Sequence, residues 1–504
     1  MPKLYVFAIG GTGSRVLKSL TMLLASGVST GYEIVPIILD PDSSAADVAK
    51  TEQLLNEYRN INKSVAPSSE KMFFKNKMES LGEVIGAVGA NALGSEFRLG
   101  IGGLNGGKFK DFIDYNLLED GGSNQALIDV LFSESNLNLD LEVGFQGNPN
   151  IGSIVLNKFT ESEEFNHFAN SFNGNDRIFI ISSIFGGTGA AGFPLILKNI
   201  RQGLVNGKNY DHLRNAVVGA ITVMPYFKLD GDNTDNIQSS TFYSKTKAAL
   251  HYYHKNISSS KDINALYYIA DDNNNVYKNV VGGVGQKNDS HFVELAAALA
   301  IVDFANDDSL STNGGYAQNP KYKEFGVNDL SASNPVITFK DLAQETQNQI
   351  QLNLTQLLFF SLYLENEINE KLKAPFAKES SPVIDQNFLS SIFYGKLVGF
   401  LDQYRIWLAE MKRNKISFSP YNIHEIIDNQ GSVIGLKPQN DDLMQLVSGI
   451  NQRSSMFKLF QEKSYDLMTS TLNESRKEKY ATVENKLMTQ FHDATAKVIT
   501  KYLF

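Results

Sequence analysis

Two stretches of this chain place glycines and a threonine between an apolar run and a helical one. Gly10-Gly11-Thr12-Gly13-Ser14 follows Leu4 to Ile9, and Gly186-Gly187-Thr188-Gly189 follows Arg177 to Ile181. Each reads as strand, tight turn and helix. Backbone N–H groups with no intrahelical acceptor then gather at the positive end of a helix dipole, which is a geometry that binds phosphate. A purely structural turn would fit either loop alone; two of them in one chain favour a nucleotide. A third cluster, Arg98 to Gly107, holds Gly102 and Gly103 among five glycines. Such density implies backbone torsions or close approaches that side chains forbid, or simply a surface loop.

Polar residues that would serve a nucleotide are sparse. Asp40 and Asp42 follow the apolar run Glu33 to Leu39 and read either as ligands of a ribose or as a solvated turn with an Asx cap. Asn288 and Asp289 precede the apolar run from Phe292. They read as a helix cap, with Asp or Ser as the capping residue, or as readers of a base edge; the two roles are compatible. His251, His254 and His291 lack metal-ligand spacing and read as surface or packing residues.

Composition removes several function classes. The 504 residues exceed one ordinary core, so two domains, or one large domain with an appendix, are expected. A net charge of −9 without a basic run argues against nucleic acid as the main ligand. The chain has no cysteine, which excludes disulfides, thiolate metal sites and a cysteine nucleophile. No apolar stretch approaches the ~20 residues that span a bilayer, and no leader pattern precedes the first glycine loop, so a cytoplasmic protein is expected.

The elements that must hold the loops are legible as apolar runs. Strands are expected at Leu4 to Ile9, Glu33 to Leu39, Arg177 to Ser182, Ala216 to Met224 and Ala265 to Ile269. Most are continuously apolar, as in strands covered on both faces, which predicts an α/β, doubly wound, mostly parallel sheet. Ligands of such sheets lie at the carboxyl ends of the strands, where both glycine loops fall. Asp42 to about Ser171 reads as helices and long loops around the sheet edge. Helical spacing dominates after residue 346, with one strand or hairpin near Gly431 to Leu436 and Trp407 in the core. The expected organisation is a nucleotide domain over 1–306, a connection over 307–345 and a mainly helical domain over 346–504.

In their order, these motifs resemble the FtsZ/tubulin superfamily, and most closely its divergent bacterial tubulin-like members. Ala8 to Arg15 is similar to that family's first nucleotide loop, Leu39 to Asp42 to its acidic turn, Gly100 to Gly107 to its third loop, and Gly186 to Gly189 to its signature, with Pro194 in register. Phe185, Ala190 and Ala191 depart from that signature, at the cost of one hydroxyl contact. Ala216 to Pro225 is similar to the next family strand, and Ala265 to Asp272 to the strand and ribose-side turn beyond it. Asn288 to Ala298 is similar to the central helix, whose first residues read guanine; Asp289 is the first choice and Asn288 the second. The resemblance covers about residues 1–342. It implies GTP or GDP as ligand, with Mg2+, and head-to-tail self-assembly into filaments. It also implies hydrolysis at the subunit contact by acids after the central helix, where Asp341 matches one acid and Thr338 stands in place of the other. Asp303, Asp307 and Asp308 are substitutes. With one acid lost, slow GTPase activity is the expectation.

Two other functions fit the same residues. One is a nucleotide-dependent sensor or scaffold that does not polymerise, its C-terminal helices contacting a protein partner. The other is a Rossmann-type enzyme using NAD or ATP, with Asp40 on the ribose.

Overall fold

The computed structural model describes the chain except residues 43–44, 66–68, 87–96, 102–106, 142–143, 146, 227, 231–238, 271–275, 279–287, 326–335, 415–416, 450–463 and 504, and except the side chains of 228–230, 239–242 and 276–278. Its centre is a six-stranded sheet of β1 (Lys3–Ile9), β2 (Glu33–Leu39), β3 (Arg177–Ser183), β4 (Val217–Val223), β5 (Ala265–Ile269) and β6 (Lys321–Glu324). The order is β2-β1-β3-β4-β5-β6, and every pair is parallel. The five expected strands are present within a residue or two at each end. The sixth lies inside the 307–345 stretch read as a connection, so the sheet does not end at 306.

Burial on both faces explains the continuous apolar runs. Tyr5 and Phe7, in register with Ile178 and Ile180, face one layer, where the Phe168 ring meets both Tyr5 and Phe7. That layer includes α5 (Glu163–Ser171) and α6 (Gly187–Gln202), with α4 (Pro149–Leu156) packed on α6. Phe179 and Gly219 face the other layer, of α1 (Gly10–Ala25), α2 (Ala46–Ser64) and α8 (Phe292–Ala305). A Cβ on Gly219 would lie 2.6 Å from the Phe304 ring, so only glycine lets α8 settle on β4. The helices α3 (Ser123–Leu131) and α7 (Ser239–Tyr253) belong to excursions between strands.

The sheet turns about β1. The chain leaves β1 through α1 to β2 on one side and later returns to β3 on the other, so β1 and β3 flank a topological switch point. At the outer side of β2, Arg98 bridges Ile38 in parallel, through Ile38 N–H to Phe97 O and Leu99 N–H to Ile38 O. Residues 97–99 are thus a vestigial further strand that brings Gly100 to the same end of the sheet.

The C-terminal region is mainly helical, as expected. α9 (Gln344–Asn366), α10 (Ile392–Arg413), the hairpin β7 (Ile423–Ile427) and β8 (Val433–Pro438), α11 (Ser464–Asn473) and α12 (Val483–Tyr502) follow the sheet. α10 lies against α1 and α2: Trp407 is fully buried and donates from Nε1 to Ser19 Oγ at 3.2 Å, and Phe400 packs on Phe74 and Tyr58. Among the described residues no helix is long and apolar enough to cross a membrane.

The packing at the first loop makes a paired prediction. A Cβ on Gly13 would fall 2.7 Å from the Ala8 carbonyl carbon, whereas one on Gly11 would meet nothing nearer than Arg15 Nη1 at 3.6 Å. Gly13→Ala should cost about 1–3 kcal/mol by overpacking, and Gly11→Ala should be neutral or stabilising by up to about 1 kcal/mol, from helix propensity. Urea midpoints of the two variants check this.

Candidate functional site

The site is built on the pairing of β1 with β3. Ala8 lies opposite Ile181, so the loops that end these strands emerge side by side. Gly10 has φ +69°, a left-handed torsion that glycine adopts without strain, and a Cβ on it would stand 3.4 Å from Thr188 Cβ and 3.9 Å from Gly189 N. The two GGTG loops therefore lie side by side, with room for little more than one carbon between Gly10 and Thr188.

Both loops open directly into helices without a side-chain cap. The residue before α1 is Ile9, and Gly186 stands before α6; neither gives a capping hydrogen bond. The first four N–H groups of each helix, Gly10 to Gly13 and Gly187 to Ala190, lack intrahelical acceptors by construction. Elsewhere in the chain Ser80, Ser133, Ser162, Ser391 and Thr482 cap the helices they precede, while the helices after Ala45, Gly122 and Ala343 go uncapped like these two; what sets the glycine loops apart is that their two open N-termini lie side by side, where an incoming anion would take the cap's place. Glycine is sterically required here. A Cβ on Gly189 would lie 2.7 Å from Ser183 N, O and Oγ, and one on Gly187 3.1 Å from the backbone nitrogens of Gly147 and Asn148. Gly11, Gly186, Thr188 and Ala190 are partly exposed and form the open face.

Not every predicted residue faces outward. Ser14 is fully buried, and its hydroxyl donates back to Gly10 O at 3.3 Å. Thr12 is nearly buried, with Oγ1 accepting from Arg15 Nη2 at 3.4 Å. Gly102 and Gly103 lie outside the described residues.

Behind the loops lies a buried polar network that sequence reading missed. The Arg15 guanidinium donates from Nε to Glu294 Oε1 at 2.6 Å, from Nη1 to Asp47 Oδ2 at 3.2 Å and from Nη2 to the Tyr226 hydroxyl at 2.7 Å. Tyr226 in turn donates to Glu294 Oε1 at 2.9 Å. A sequence signal existed: Glu294 interrupts an apolar helix, and a buried carboxylate demands a partner.

The same network reaches the predicted base-reading residues. Asn288 donates from Nδ2 to Asp47 Oδ2 at 3.0 Å, and Arg413 Nε stands 3.8 Å from Asp289 Oδ2. Glu410 accepts from Lys18 Nζ at 3.0 Å and from the N–H and hydroxyl of Ser290, so α10 grips this segment and α1 together. Burial pushes the Glu410 carboxyl up, and Lys18 with the Ser290 donors more than offsets that, holding it below its ordinary value. The cap of α8 is His291, not the expected Asp or Ser. Its Nδ1 accepts from Val293 N–H at 3.0 Å while Glu294 takes the His291 N–H.

α8 returns to the sheet as the crossover between β5 and β6, so Asp341 comes after a further strand and just before α9. Its Oδ2 accepts from the N–H and hydroxyl of Thr338 at 2.7 and 2.8 Å. Asp303 accepts from Tyr267 and Lys323, and Asp307 from Lys321. Among the described residues no group of three or more His, Asp or Glu could hold a metal ion.

No protein-family model matches the chain, and no curated protein matches it. Two solved structures are similar in part, both of TubZ. One is a GTPγS-form protofilament of Bacillus thuringiensis serovar israelensis TubZ, at 12% identity and TM-score 0.25 over 80% of this chain and 81% of that one. The other is the helical model of the TubZ-Bt two-stranded filament, at 11% identity and TM-score 0.25 over 83% and 80%. Similarity at that level leaves the site to be read from this chain's own residues.

Two titrating groups beside the site pull stability in opposite directions. Burial pushes the Asp40 carboxyl up to about 7, with Asp42 N–H donating to its Oδ1, while burial and Arg15 push His291 down to about 4. Between about pH 4 and 7 the folded chain keeps an Asp40 proton that the unfolded chain has lost, so this term weakens the fold as pH rises. Between about pH 4 and 6.5 the unfolded chain holds a His291 proton that the folded chain lacks, so that term strengthens the fold as pH rises. The stability of Asp40→Asn relative to wild type should therefore climb with pH across this window, and that of His291→Asn should fall. Each slope is at most about 1.4 kcal/mol per pH unit, and urea midpoints at several pH values measure both.

Proposed function

We propose that this chain is a tubulin-like protein that binds GTP or GDP across its paired glycine loops and assembles head to tail with the nucleotide at the subunit contact. The observation that carries the reading is the juxtaposition of two uncapped helix N-termini at the β1–β3 switch point. Their combined N–H groups suit a chain of several phosphates better than a single anion.

Base choice follows from the tether on Asn288. Because the Asp47 carboxylate can only accept, one N–H of the Asn288 amide is spent on it and the amide's orientation is fixed, with Oδ1 as the acceptor it can turn to a base. Guanine offers donors at N1–H and its 2-amino group, whereas adenine offers an acceptor at N1. Asp289 adds a second acceptor beside it. Mg2+ would be bound chiefly by the phosphates and water, in keeping with the lack of a metal-holding cluster among the described residues. Asp341, fixed by Thr338, is the carboxylate we assign to orienting water in the neighbouring subunit's site.

A second reading draws on a specific contact. The grip of Glu410 and Asn414 on Ser290 links the C-terminal helices to the base-side segment, which suits a nucleotide-dependent scaffold as well as a filament. The NAD or ATP enzyme is disfavoured because one oxygen of Asp40 is engaged by Asp42 N–H within its own turn and burial pushes its carboxyl up, which makes it a poor ribose acceptor.

Right-angle light scattering and negative-stain microscopy test the assembly. Scattering should rise with GTP above a threshold protein concentration, and filaments should be visible. Asp341→Asn should keep this rise and slow phosphate release. A protein that sediments as a single subunit with GTP, GDP and no nucleotide would overturn the assembly reading.

A further inference from the structure

The segment between residues 107 and 141 ends in an unpartnered helix. Its neck is closed by Leu141 N–H on Gly107 O and Phe109 N–H on Leu139 O, and its small core holds Phe109 against Phe132. α3, within it, has nine residues and not one is buried. Leu127 is 57% exposed, Val130 84% and Leu131 57%, with Leu117 beside them at 81%. A helix of this length is marginal alone and draws its stability from a covered apolar face, so this face calls for a partner.

The place of α3 in the fold restricts that partner. The segment leaves the sheet beside Arg98, at the carboxyl end of β2, and returns beside Gly187, where Asn148 N lies 3.1 Å from the position of a Cβ. Both roots are therefore at the glycine-loop pole. Its charge is one-sided, with two lysines against seven carboxylates between residues 107 and 141.

The opposite pole carries the complement. α1 runs about 24 Å away from the loops, and beyond its end Gly27 meets His492 of α12, while Asn485 Nδ2 donates to Val65 O just past α2. Between α11 and α12 lies a groove of 630 Å³, with Leu467, Ala496 and Tyr502 on its apolar side and, on its edge, Lys501 and a Lys497 paired with Glu474 at 2.9 Å. Exposed Arg476 and Lys477 follow directly after α11.

We propose that α3 of one copy docks, apolar face down, into the α11–α12 groove of the next. The mode is helix in groove, with the acidic surround of α3 meeting Lys501 and the exposed Arg476 and Lys477. Because the two surfaces are different and lie at opposite poles, the contact is heterologous and does not close on itself. The inference rests on the head-to-tail reading and names the surfaces that carry it.

The lack of cysteine makes the test direct. Val130→Cys and Thr500→Cys, both at exposed positions, are prepared separately and mixed with GTP and a short bismaleimide, with circular dichroism confirming that each is folded. The expected result is a covalent dimer in the mixture and none in either variant alone, with a yield that falls as salt is raised. Leu127→Asp with Val130→Asp should raise the threshold concentration for wild-type scattering at least tenfold. A dimer from Val130→Cys alone would overturn the proposal in favour of symmetric pairing. No mixed dimer, under conditions where wild type assembles, would overturn the docking and leave head-to-tail assembly standing. No assembly and no mixed dimer would remove both.

Discussion

The Arg15 guanidinium is the interaction on which the glycine-loop end of this molecule depends. It sits one turn inside α1, buried, and is shared by Glu294 of α8, Asp47 of α2 and Tyr226 beyond β4. Two carboxylates and a phenol thereby hold three helices and a loop in a fixed relation behind the glycine turns. Removing one member of such a buried pair typically costs about 3–5 kcal/mol, because the remaining charge is left unpaired in a dry interior. The same Asp47 oxygen holds Asn288, so the orientation of that amide is set by the group that fixes the first glycine loop.

A second tier of contacts extends this frame into the C-terminal region. Lys18 lies one turn beyond Arg15 and pairs with Glu410, which also binds Ser290; Trp407 bonds Ser19 from the same helix. α10 thus lies along the outer side of α1 and closes on the segment that precedes α8. Any shift of that segment must be shared with α10, which couples the mainly helical region to the glycine-loop end.

The glycine loops and strands were readable because their signals are local: a continuous apolar run, then residues too small for anything but a close turn. β6 was not readable. Lys321-Tyr322-Lys323-Glu324 is an edge strand with alternating exposure and no apolar run, and it pairs only because β5 offers it a free side. The Arg15 network was hidden for a different reason, since its partners are up to 279 residues apart and only the fold brings them together. His291 is a packing residue, as one of its two expected readings had it, buried against the Tyr226 ring; its second role as the cap was not readable, because a capping imidazole has no sequence signature comparable to that of Ser or Asp. The position of α8 as a crossover likewise depended on β6, which is why Asp341 stands farther along the fold than its motif implied.

Phosphate binding and base choice at the paired loops meet in one titration. Calorimetry of the purified chain with GTP, GDP, ATP and NAD, repeated with Gly189→Ala, tests them together. The account predicts saturable binding of GTP and GDP, weak or no binding of ATP and NAD, and loss of the guanine-nucleotide signal when a methyl is forced against Ser183. Tight binding of ATP or NAD with no response to GTP would contradict it.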